Sequence, residues 1–152
     1  MITISSLWRN TKEMPSLLRM FCQGAMVAPP ILALLLVFPL MDWTVNGRQV
    51  SYAELWSSGA GPIMLTSMVL AAAGAYGLAA RANWSRWAWV GTPVVPVLLA
   101  AIYPKTWFTE IATGEVGTWL GAIGTGAIIF ACLFFIPSVR AYMNGHSSNA
   151  DA

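Results

Sequence analysis

Charge is missing from four long stretches of this sequence. Residues 20–41, 62–80, 87–103 and 116–136 hold no Asp, Glu, Lys or Arg, and every charged side chain of the 152 residues lies between or beyond them. Each stretch is apolar and can cross a hydrocarbon core about 30 Å thick at about 1.5 Å per helical residue, the third with little to spare. Lipid-facing barrel strands alternate apolar with polar side chains over about 10 residues, and these stretches do not alternate. The expected fold is therefore an all-α membrane protein with four transmembrane helices in a bundle. Composition agrees, with 57% hydrophobic and 9% charged residues, against about a quarter charged in a soluble domain. So little polar surface rules out a water-soluble globule, a disordered chain and a nucleic-acid-binding domain.

The first stretch exceeds the apolar core of a signal peptide, about 7 to 15 residues. Met41-Asp42-Trp43 follows it rather than a small-x-small cleavage site, so it is expected to stay as an anchor. Charge placement sets the orientation. Arg9, Lys12 and Arg19 precede the first span, Arg81 and Arg86 bracket the link between the second and third, and Arg140 follows the fourth. The remaining basic residues, Arg48 and Lys105, are outnumbered on the other side by Asp42, Glu54, Glu110 and Glu115. Cytoplasmic loops are enriched in Lys and Arg, which places both termini in the cytoplasm and the chain in the cell inner (plasma) membrane. The organisation read from this is a cytoplasmic amphipathic segment over 1–15, a transmembrane domain over 16–137 and a polar cytoplasmic tail over 138–152. Within the first segment Ile4, Leu7 and Trp8 fall on one face of a helix suited to the inner leaflet, which Pro15 ends.

The two outer loops each predict a short interfacial helix. Ser51 and Glu54 have capping-box spacing, after which Tyr52, Leu55 and Trp56 share a face, and Gly59 or Gly61 stops the turn before Pro62 opens the second span as its first residue. Trp107, Phe108 and Ile111 precede Gly114 in the second loop. Setting Glu54 against Glu110 also aligns Tyr52 with Phe108, Leu55 with Ile111, Ser57 with Thr113 and Gly61 with Gly117, which reads as a weak internal repeat. These aromatic faces are suited to lie on the membrane surface; the sharper reading is that Tyr52, Trp56, Trp107 and Phe108 meet a partner outside the membrane.

Within the spans, small residues mark close packing. Gly117, Gly121 and Gly124 form a stripe on the fourth span, and Ala71 and Ala75 a small-xxx-small row on the second. The expectation is that these two spans pack within one chain; the alternative is that one stripe meets a second copy or another membrane protein. Pro29 and Pro30 interrupt the first span, and Pro93 and Pro96 the third. Each proline frees a carbonyl one turn earlier, and broken helices can frame a solute path.

The chemistry available is sparse. No span carries a carboxylate, histidine or arginine of the kind that couples ions or senses voltage. The single histidine, His146, lies in the tail, and Cys22 and Cys132 form no metal-binding or redox pair. No catalytic, cofactor or metal site is therefore assigned, and the chain is not expected to be an enzyme. The function expected is a non-catalytic binding role, as an accessory subunit or toxin-immunity type of protein. Its partners would be the lipid bilayer and another membrane protein or a second copy. The alternative is a facilitator or small transporter that passes a neutral or apolar solute along the broken helices.

Overall fold

The computed structural model describes residues 4–39, 43–45, 47–114 and 116–144. Asp42, Glu115 and the tail with His146 lie outside them. The order is α1 (Ile4–Thr11), α2 (Ser16–Val37), β1 (Trp43–Val45), β2 (Arg48–Val50), α3 (Tyr52–Ser57), α4 (Ala60–Ala79), α5 (Trp84–Ile102), α6 (Trp107–Gly114), α7 (Val116–Phe135) and α8 (Pro137–Met143). Among the described residues four helices, α2, α4, α5 and α7, are long and apolar enough to span a membrane.

Proline sets where three of these helices stop. Phe38, Tyr103 and Ile136 are extended, with ψ of 137°, 152° and 120°. Each is followed by a proline, Pro39, Pro104 and Pro137, whose ring clashes with a helical conformation in the residue before it. This is why α2 ends at Val37 rather than running to residue 41. The helix α4 ends differently. Arg81 adopts a left-handed conformation with φ 56°, its N–H donates to the Leu78 carbonyl at 3.0 Å, and the Ala82 N–H donates to Gly77 at 2.8 Å. That is a Schellman closure with arginine where glycine is usual. The start of α4 corrects the sequence reading: Gly59 at φ 83° precedes Ala60, and Pro62 is the third helical residue rather than the first. Its missing N–H costs nothing there, since first-turn N–H groups have no partner within the helix.

The spans pack in chain order. The central helix α4 contacts α2 on one face and α5 on another, and α5 carries α7. Small residues decide the closeness of each contact. A Cβ on Gly74 would lie 2.6 Å from the Trp89 ring, one on Gly77 would lie 2.5 Å from Ser85 Cβ, and one on Gly126 would lie 3.0 Å from Val94. Ala75 is fully buried, and its carbonyl accepts from Cys22 Sγ on α2 at 3.3 Å. The expected pairing of the second and fourth spans is therefore corrected. The small face of α4 is occupied by α2 and α5, and α7 packs on α5 instead.

Two apolar clusters close the ends. At the basic end Met14, Cys22, Met26, Ala75, Leu78, Leu133, Val139 and Tyr142 are buried together. Here α8 forms a packed helix where a polar tail was expected. Its Val139, Tyr142 and Met143 are buried, and the Tyr142 hydroxyl donates to the Leu78 carbonyl at 3.1 Å. Arg81 lies 4.9 Å from the Tyr142 ring centroid and pairs with Glu13. Burial pushes the Tyr142 phenol above its usual pKa, and the nearby Arg81 partly offsets this. The helix α1 docks through Asn10 Nδ2, which donates to the Ala79 carbonyl at 3.0 Å. Buried Thr11 accepts from Gln23 Nε2 at 2.9 Å. At the opposite end Leu36, Val50, Leu55 and Ala60 form the second cluster beside an antiparallel hairpin, β1 with β2. The hairpin's signal was in the sequence. Asn-Gly at positions 46–47 is a sequence cue for a tight turn, and Gly47, directly before β2, has the positive φ of 78° that such turns use.

These contacts make glycine positions unequal. Gly77→Ala should lower the thermal unfolding midpoint in detergent, at a cost of about 1–3 kcal/mol for overpacking. Gly24→Ala, where an added Cβ meets nothing within 4 Å, should raise the midpoint slightly through helix propensity. Equal midpoints for the two variants would contradict the packing.

Candidate functional site

The aromatic loop residues converge at the hairpin end. Ser51 caps α3, its Oγ accepting from the Glu54 N–H at 3.3 Å. This orients Leu55 into the cluster and sets the Tyr52 and Trp56 rings 6.1 Å apart. The two loops meet through Thr106, whose hydroxyl donates to the Ser58 carbonyl at 2.7 Å, and through Tyr103, whose ring lies where a Gly59 Cβ would be. Trp56, Trp107 and Phe108 are half-buried against the cluster of Leu36 and Leu55. Trp107 and Phe108 make an edge contact at 5.9 Å. Tyr52 remains exposed, and its hydroxyl donates to the Val37 carbonyl at 2.5 Å, closing the end of α2. The structure thus brings all four residues together, and three of them serve as packing for that end of the molecule.

The prolines are not brought together. Pro29 and Pro30 line a groove against Met68, Val69, Ala72 and Ala73 on the α2–α4 face. Pro93 instead lies near Gly126 on the α5–α7 face, where the absence of a Cβ lets the two helices approach. One freed carbonyl also has a partner. Pro30 cannot donate to Met26 O, and the Tyr76 hydroxyl from α4 does so instead at 3.2 Å. Two threonines in the spans bond to their own helix. Thr66 donates to the Pro62 carbonyl and Thr92 to the Ala88 carbonyl, as in-membrane hydroxyls commonly do.

The glycine stripe has a different environment. An added Cβ at Gly114, Gly117, Gly121 or Gly124 meets nothing within 4 Å. Leu120 and Ile123, on the same helix, are 66% and 56% exposed. Comparing α4 with α7 sharpens the contrast. Helices α4 and α7 begin and end with the offset that aligns Gly61 with Gly117, which places Leu65 and Met68 opposite Gly121 and Gly124. On α4 these positions face the hairpin-end cluster, and a Gly61 Cβ would lie 3.0 Å from the Trp56 ring. On α7 a Cβ at the equivalent positions meets no described residue within 4 Å. Ala71 and Ala75, by contrast, belong to α4, and Ala75 is used within the chain. The sequence could find both stripes but not tell which was already occupied.

The role of Tyr76 can be tested as a cycle. Tyr76→Phe should destabilise the protein by about 1 kcal/mol, the scale of hydrogen bonds between membrane helices. In a Pro30→Ala background the restored N–H can serve Met26 itself, so the same substitution should cost much less. Additive effects in thermal unfolding would show that the hydroxyl does not serve the freed carbonyl. Comparisons with family models, with curated proteins and with solved structures give no match for this chain.

Proposed function

We propose that this chain is a multi-pass protein of the cell inner membrane with both termini cytoplasmic. Its four spans form a bundle tightened at its basic end, and short interfacial helices sit at the hairpin end. Its role is non-catalytic. It binds another membrane protein, or a second copy of itself, as an accessory subunit or immunity-type protein does, by docking the glycine face of α7 against a foreign transmembrane helix. The observation that carries this reading is the open space beside Gly117, Gly121 and Gly124. Every glycine whose Cβ position is crowded below 3.1 Å serves a contact inside the chain, whereas these meet no described residue within 4 Å. Apolar burial drives little association between helices already in lipid, and close backbone approach through small residues supplies dispersion instead. The orientation is supported by the basic residues gathered at the end where α1, the α4–α5 turn and α8 meet.

The proposal is tested with Gly121→Leu. Because a Cβ added at Gly121 meets no described residue within 4 Å, the variant should insert and unfold like the parent. In mild detergent the parent should migrate as a complex larger than one chain, and the variant should fall to the monomer position. Unchanged migration of the variant would contradict the reading.

A further inference from the structure

The basic end carries a second surface, distinct from the glycine face. A groove of about 300 Å³ separates the start of α2 from the α7–α8 elbow. Leu17, Phe21 and Ile136 form its apolar walls, Cys132 lies within it, and Ser16 and Ser138 add hydroxyls. It extends from the first residue of α2 to Phe21, about a turn and a half into the span. That is the depth at which a lipid's polar head gives way to its chains. Leu17 is 70% exposed, so the groove opens sideways toward the surrounding phase.

The charge around this end selects the occupant. Among the described residues here, Arg9, Lys12, Arg19, Arg86 and Arg140 accompany the pair formed by Arg81 and Glu13. Arg140 is exposed and directly follows Val139, a wall residue. A second copy docked through this face would set like charges against one another, which opposes association. An apolar slot beside a surplus of cations at headgroup depth matches a lipid that joins acyl chains to a negative head. We propose that the α2–α7 groove binds one acyl chain of an anionic phospholipid, whose headgroup is held at the basic rim by Arg140 and its neighbours. This site is independent of whatever α7 binds.

Cys132 provides the readout, because it is exposed in the groove while the other cysteine, Cys22, is buried. The full chain, stripped of lipid in neutral detergent, is titrated with phosphatidylglycerol or phosphatidylcholine, and maleimide labelling of Cys132 is timed. Cys132→Ser identifies the signal. Phosphatidylglycerol should slow labelling at least threefold at a concentration where phosphatidylcholine changes it little. Arg140→Gln should weaken that protection, and Leu17→Trp should remove the response by filling the slot. Equal protection by both lipids would overturn the anionic assignment, and protection by neither would overturn the site. The proposal also fails if protection disappears when residues 145–152 are deleted, or follows protein concentration rather than lipid. In those cases the occupant is the tail or a second copy.

Discussion

Inside a bilayer no water is present to satisfy a backbone N–H or carbonyl, and burial from water gives no reward for bringing two helices together. The spans of this protein follow from that pair of constraints. Each apolar stretch folds as a helix because its hydrogen bonds must be local. The helices then associate where backbones can approach. The centre of the molecule is α4 because Gly74, Ala75 and Gly77 leave room for Trp89, for Cys22 and for Ser85. Prolines carry the other half of the design, stopping α2, α5 and α7 at the residue before each ring. Where Pro30 leaves a carbonyl within a span, Tyr76 serves it from the neighbouring helix.

The number and position of the spans were legible in the sequence because charge avoidance is absolute along each stretch. The cap at Ser51 was legible for a similar reason, since hydroxyl and N–H are brought together by local spacing. What could not be read was pairing between spans. Rows of small residues on α4 and α7 look alike in sequence, but the glycines of α4 face packed aromatic rings, whereas a Cβ on Gly117, Gly121 or Gly124 of α7 meets no described residue within 4 Å. Neighbours far along the chain make that distinction. The helix α8 was missed because its buried residues, Val139, Tyr142 and Met143, are interleaved with polar ones in a segment that resembles a tail. The candidate aromatic residues were found, but their half-buried setting against Leu36 and Leu55 required the hairpin and both loops in place.

The helices α4 and α7 are equal in length but not in surroundings. In the first half, the face of α4 that bears Gly61, Leu65 and Met68 is covered by α3 and its neighbours. In the second, the corresponding face of α7 bears Gly117, Gly121 and Gly124, where an added Cβ meets no described residue within 4 Å. A surface so suited to close approach, yet without a neighbour among the described residues, is the physical basis for proposing a partner helix.

The most direct test places a photoreactive side chain at Gly121 of the full chain in native membranes and identifies what it captures. The account predicts an adduct with a second polypeptide, joined through one of its transmembrane segments. Capture confined to the same chain, or to lipid alone, would contradict it.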